Sequence, residues 1–410
     1  MEKKEIYKKF LGIGSITLFS QLIALTLMPL ITKFYGPTLF GQYSVLLSII
    51  LLFTMLSTLN IQQDITKGSL VKYKYKINTM LFLSISFSIS LVLLTLCFFI
   101  LDIVFFHYLY VGLAVFVVSI YQIYYFSLIR NKDYKTLAKS TAFLVVSLPL
   151  LQILFIFFFD KDLKFLILSH FLSMIFSLAY MVHKLGFLIS FNDIHKNFRQ
   201  AKFIIKLSIK KYVEITFGRF LQLLNLQLPI LLTALFLEIE AVAIIALSLK
   251  LVEVVARFIR STIGNFILAE NTVGKNHMPS YTDVIRSYKF FFFFSCLFLL
   301  LYLIISYFFI DMIFGNEWSG LGFALILLTP YFFANLVTSV FYYMMNIVKI
   351  NNKMYQLELS LLSFILALYF VGYYMGFGDK YVLIITSILY FFYSIVMLVL
   401  IAKKVKDVRV

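Results

Sequence analysis

The chain has 410 residues, of which 62% are hydrophobic and only 13% charged, with a mean hydropathy of +0.96. That much apolar surface cannot be covered by the water-facing shell of an ordinary soluble domain, so a soluble globular fold is excluded. A net charge of +17 raises nucleic acid as a partner, but the basic residues sort by membrane side rather than into a binding patch, which leaves no nucleic-acid reading.

Twelve apolar stretches, each near the ~20 residues that a helix needs to cross ~30 Å of hydrocarbon, follow one another along the chain. They are residues 11–32, 42–61, 79–101, 110–129, 141–159 and 165–182 in the first half, and 212–236, 241–263, 290–310, 321–348, 357–376 and 381–402 in the second. The runs are continuous rather than alternating, which disfavours a β-barrel. The tenth is long enough that it must tilt, kink or extend beyond the bilayer.

Residues 1–10 carry Lys3, Lys4, Lys8 and Lys9 ahead of the first apolar run. This is the polarity of a signal sequence, but the hydrophobic region is too long, and the segment is expected to stay as an uncleaved first helix. Of the 36 Lys and Arg residues, 28 fall at the two termini and in every second loop, 4 in the alternate loops, and Arg219, Lys250, Arg257 and Arg260 inside spans. By the positive-inside rule both termini are expected in the cytoplasm.

Cys97 and Cys296 each lie within a span, which supports neither a disulfide framework nor a Cys-based zinc site. His107, His170, His183, His195 and His277 show no paired ligand spacing, so no metal and no cofactor is expected. His170 alone lies within a span, where hydrogen-bonded packing outweighs proton carriage.

A shift of 200 residues aligns Pro29 with Pro229, Leu47 with Leu247 and Ser48 with Ser248, and six spans fall in each half. The expected architecture is an all-α integral membrane protein of twelve transmembrane helices, in two parallel six-helix repeats around a central cavity. The bundles are residues 1–183 and 212–410, joined by a basic cytoplasmic linker, 184–211. Within that linker Phe198, Phe203, Ile204 and Ile205 alternate with Arg199, Lys202 and Lys206, which fits either an amphipathic surface helix or a simple polar connection. The outer loops are short and leave no room for a folded external domain, which weighs against polysaccharide polymerases and ligases that keep catalytic residues on a large outer loop. No Gly-rich, Lys-bearing nucleotide loop is present either.

Charge inside the membrane is costly, and it concentrates on the eighth span. At about 100° per residue, with Lys250 at 0°, Glu253 falls near 300°, Arg257 near 340° and Arg260 near 280°, all on one narrow face. Lys250 lies ~13 Å from the outer end of that span, close to the midplane. The stripe reads either as a cationic vestibule for an anionic, phosphorylated substrate, with Glu253 as counter-ion and Arg making bidentate phosphate contacts, or as a buried ion network with Arg260 anchored at the interface. The seventh span adds Arg219, with Gln222 and Asn225 one turn apart, and sets Arg219 at about the depth of Arg257. Spans of the first half carry only neutral groups, Ser15, Ser20, Gln21 and Thr26 among them. Gln21 is a candidate for sugar contact, although small polar residues also serve helix packing. Tyr121, Tyr124, Tyr125, Tyr342 and Tyr343 add aromatic faces that carry little weight in a chain 19% aromatic, and the run Phe290 to Phe294 reads as lipid-facing.

The opening segment resembles that of bacterial polysaccharide flippases, the O-antigen and teichoic-acid exporter group. It carries Gly14-Ser15, Gln21-Leu22-Ile23, Pro29-Leu30-Ile31-Thr32, Tyr35-Gly36-Pro37 and Phe40-Gly41-Gln42-Tyr43. The resemblance implies the fold shared with multidrug and toxic-compound exporters and lipid II flippases. It also implies a multi-pass protein of the bacterial cytoplasmic membrane that is a transporter and not an enzyme. The implied substrate is a polyprenyl-diphosphate-linked oligosaccharide carried from the cytoplasmic to the outer leaflet, with polysaccharide polymerase and chain-length machinery as partners. Basic cavity residues of that group fall on the seventh and eighth helices, which matches Arg219, Lys250 and Arg257. Where relatives often have Gly-x-Tyr-Ser at the start of the eighth helix, this chain has Ala241-Val242-Ala243-Ile244, and Asn225 stands where an acid is often seen, so ion coupling is in doubt. A multidrug or cation exporter of the same fold is the first alternative, expected to have an acidic cavity; a membrane glycan polymerase or ligase is the second.

Overall fold

The computed structural model describes residues 2–66, 70–101, 108–186, 194–271, 281–338, 351–376 and 378–407. All regular structure among them is helical: α1 Glu2–Thr58, α2 Gln62–Ile65, α3 Leu70–Ile100, α4 Leu109–Arg130, α5 Tyr134–Phe158, α6 Leu163–Leu185, α7 Ile194–Phe236, α8 Ile239–Asn271, α9 Tyr281–Phe308, α10 Ile310–Phe314, α11 Leu321–Leu327, α12 Thr329–Thr338, α13 Asn351–Tyr374 and α14 Asp379–Asp407. Among the described residues eight helices are long and apolar enough to span a membrane, and the α11–α12 region forms a ninth with a bend of 57°. The protein is a multi-pass membrane protein.

The first two predicted spans meet at a tight turn, with no longer loop between them. Residues Ser15–Thr58 form one apolar stretch of 44 residues, about twice what one crossing requires. It breaks at Gly36, whose φ of 72° and ψ of 171° are not helical. Glycine adopts this backbone without a Cβ penalty, and Pro37 then starts the next helix with its fixed φ.

The predicted tenth span is broken as well. Pro330 has no N–H for the carbonyl of Ile326, and the hydroxyl of Thr329 supplies a donor to that oxygen at 2.6 Å. Tyr302 OH donates to the carbonyl of Leu325 at 2.6 Å, and the N–H of Tyr331 finds Ser387 Oγ at 3.1 Å. A bend at membrane depth persists because side chains satisfy the backbone groups it releases. Residues 339–348 of that span, with Tyr342 and Tyr343, lie outside the described residues.

The chain divides into two compact units: Met1–Met28 with Leu46–Leu223, and Pro29–Val45 with Leu224–Val410. In the first unit, Asp133 and Asp162 cap α5 and α6 by accepting the N–H groups of Thr136 at 3.1 Å and Lys164 at 3.0 Å. Gly186, with φ 72°, ends α6 by donating to the carbonyl of Val182 at 2.8 Å. Close helix approaches rest on small residues. Ser57 and Ser119 hydroxyls meet at 2.9 Å, Ser177 Oγ donates to the carbonyl of Ser140 at 2.7 Å, and a Cβ at Gly112 would stand 2.5 Å from Val92. A core of Ile61, Ile65, Tyr73, Ile77, Met80, Leu81, Ile123 and Tyr212 closes one end, with Arg130 over the Tyr73 ring at 4.7 Å and bonded to the carbonyl of Ile65 at 3.0 Å. Residues 194–211 are helical and continuous with the seventh span, so the linker runs into α7.

In the second unit α8 is well enclosed over its described first half. Val242, Ala243, Ile245, Leu247, Ser248, Val252 and Ala256 are wholly buried, as expected of a helix with a broad packed face. Phe293, Met312 and Leu235 are exposed, the arrangement of side chains that face hydrocarbon.

Candidate functional site

Six of the eight sequence-derived site residues, all but Arg257 and Arg260, have described side chains. Gln21 is buried on α1 of the first unit. Arg219 and Gln222 lie one turn apart on α7 in the same unit, and Arg219 Nη1 donates to Gln222 Oε1 at 3.1 Å. The amide thus orients the guanidinium along the helix. One turn further on, α7 has passed into the second unit, where Asn225 is only 1% exposed.

Lys250 and Glu253 are half-buried on α8, although Leu247, Ser248, Leu249 and Val252 beside them are buried. Ile244, Leu251 and Val254 are half-buried as well, so one side of α8, charged and apolar together, is partly open while the other is packed. A lysine that faced lipid at the midplane would cost at least ~2.5 kcal/mol. Its ammonium stands 5.5 Å from the centre of the Phe40 ring. Arg257 and Arg260 follow on the same helix, and their side chains lie outside the described residues.

One group in the second unit escaped sequence reasoning. Glu358, at the beginning of the predicted eleventh span, is 3% exposed. Asn225 Nδ2 donates to its carboxylate Oε2 at 2.8 Å and to its backbone carbonyl at 3.0 Å. The hydroxyl of Tyr393 donates to Oε1. Three helices, α7, α13 and α14, are tied together through one carboxyl group. Tyr390 packs edge-on against Tyr331 at 5.1 Å and lies 6.2 Å from Tyr393, which gives the group an aromatic wall. A carboxyl buried this deeply needs such donors, since an unsatisfied polar group in the interior costs about 1–3 kcal/mol. The signal was present as an acid one residue inside an apolar run; its partners are 133 and 35 residues away and left no local trace.

Among the described residues no three His, Cys, Asp or Glu side chains gather as metal ligands. His170 is half-buried on α6, and Cys97 and Cys296 are free thiols.

Comparison with known proteins gives no matching family model and no matching curated sequence. Solved structures do match. The lipid II flippase MurJ in an inward closed conformation aligns with 96% of this chain and 87% of its own, at 12% identity and a TM-score of 0.71. An outward-facing multidrug resistance MATE family transporter of the MOP superfamily aligns over 97% and 96%, at 12% identity and a TM-score of 0.61. The chain shares the fold of these two solved structures. A third match, the Vibrio cholerae MATE transporter VcmN in its bent form, has 13% identity, coverage of 98% on both sides and a TM-score of 0.52. These identities carry the fold and nothing finer.

Proposed function

We propose that this protein is a flippase of a bacterial cytoplasmic membrane that carries a polyprenyl-diphosphate-linked oligosaccharide from the inner to the outer leaflet for surface polysaccharide synthesis. The observation that carries this reading is Lys250, half-buried with Glu253 on α8 while Ser248, Leu249 and Val252 beside them are buried, in a stretch that the sequence places near mid-membrane. A cation in that setting fits an anionic cargo better than a cationic drug, because a buried positive charge repels the second and gains charge-assisted hydrogen bonds from the first. In this reading Lys250, Arg257, Arg260 and Arg219 receive the diphosphate. Glu253 balances their charge, Gln222, Asn225 and Gln21 add neutral polar contacts, and the polyprenyl tail stays in lipid. Likeness in fold to a lipid II flippase supports it further. Polymerase and chain-length proteins would then consume the flipped repeat unit.

A second reading, export of drugs or cations, is favoured by the structural likeness to MATE transporters. The two readings separate in a flippase-deleted host that makes a cognate repeat unit, with surface polysaccharide as the readout. Rescue by the wild type and loss with Lys250→Ala and Arg257→Ala at equal membrane abundance is the expected result. Rescue by all three keeps the flippase and removes the charged site. No rescue with any cognate glycan, together with raised drug tolerance, gives the exporter reading precedence.

A further inference from the structure

Residues Pro29–Val45 belong to the second unit although the chain on both sides of them belongs to the first. The segment is fastened there by a compact set of contacts. Trp318, the single tryptophan and 0% exposed, donates from Nε1 to the carbonyl of Thr32 at 3.3 Å. That carbonyl lies in the turn before the break at Gly36, where helix carbonyls run short of intrahelical donors. The same indole meets the Phe40 ring edge-on at 5.7 Å. A Cβ at Gly41 would stand 2.4 Å from the carbonyl oxygen of Ile239, so the strap's backbone rests directly on the start of α8. Thr38 Oγ1 reaches Glu240 Oε1 at 3.5 Å, and both residues are exposed.

The Phe40 ring also receives the Lys250 ammonium, 5.5 Å from its centre. One buried ring therefore touches both the tryptophan that pins the strap and the cation assigned above to the substrate.

We propose that Phe40 is a positioning residue for Lys250 and that the pair is a latch: the ammonium over the ring holds the strap on α8, and a diphosphate that draws the ammonium away loosens it. A cation–π contact is a fixed electrostatic attraction to the ring face, strongest when water is kept out, and it is lost when a closer anion claims the cation. The release step rests on the anionic-substrate reading; the hold does not.

The test uses the full chain in membranes, with Cys97→Ser, Cys296→Ser, Thr38→Cys and Glu240→Cys, and follows the rate of oxidative cross-linking between the two new thiols. Phe40→Leu, which keeps apolar volume and removes the ring, and Lys250→Gln are each expected to slow cross-linking roughly five- to thirty-fold, with the double variant no slower than either single one. Phe40→Tyr and Lys250→Arg retain the rate, which separates loss of the latch from misfolding. Inorganic pyrophosphate slows cross-linking with Lys250 present and has no effect on Lys250→Gln. Unchanged rates in Phe40→Leu and Lys250→Gln, or effects that simply add, overturn the latch, whatever the export assay shows. Pyrophosphate without effect on the wild type overturns release by an anion. Failure of glycan rescue removes the flippase reading and leaves the cross-linking result standing.

Discussion

Both units bury hydroxyls, and the second buries a carboxyl as well. Ser119, Ser127 and Ser169 are fully enclosed, and each bonds the carbonyl four residues earlier on its own helix. Such a residue is satisfied before its helix packs against anything, so it costs little and specifies little. Glu358 cannot be satisfied within α13 and takes Asn225 from α7 and Tyr393 from α14. A neutral small residue lets helices approach; a buried carboxyl dictates which helices meet and at what height. Charge on membrane-spanning helices is also sharper in the second unit, where Lys250 and Glu253 share a turn of α8.

That contrast can be broken by substitution. The largest effect is expected for function: Lys250→Ala should lower surface polysaccharide at least roughly ten-fold at equal abundance, about the 1.4 kcal/mol that a single charge-assisted contact supplies. Gln21→Ala, on the neutral first unit, should change it less than that, measured in the same rescue assay. For stability, Asn225→Leu leaves Glu358 Oε2 without its Asn225 donor, with Tyr393 still on Oε1, and should cost about 1–3 kcal/mol, read as a lower Tm of the purified protein in detergent. Thr329→Val, which strips the Ile326 carbonyl of its hydroxyl at the bend, should cost about 1 kcal/mol by the same measurement. Ser57→Ala in the first unit should cost only about 0.6 kcal/mol, since Ser119 keeps its own bond to the carbonyl of Val115. Equal losses for Asn225→Leu and Ser57→Ala would remove the distinction between the units.

The charged face of α8 was legible because charge inside an apolar run of about twenty residues is conspicuous, and helical periodicity then sets its direction. The pairing of Arg219 with Gln222 follows the same rule at a spacing of three. Phe40 and Trp318 were not legible as partners of that site, because their contacts join positions separated by more than two hundred residues and an aromatic in a chain with 48 phenylalanines and 27 tyrosines attracts no notice. Gly36-Pro37 was read as a turn between spans. The structure bears this out in its tightest form: glycine supplies the one non-helical residue between two helices, and proline starts the second at once.

By itself the sequence determined that this chain lives in a membrane as helices, which residues inside those helices carry charge, and which face of α8 they share. These are properties of composition and of a period of 3.6 residues, and no neighbour is needed to read them. Only the tertiary structure decided that residues 29–45 belong with the second unit, that Glu358 is the point where three helices are tied, and that Lys250 rests on Phe40. Each of those depends on which helices pack side by side, and in a chain whose spans are nearly interchangeable in hydrophobicity, that choice is made by a few distant polar and aromatic contacts.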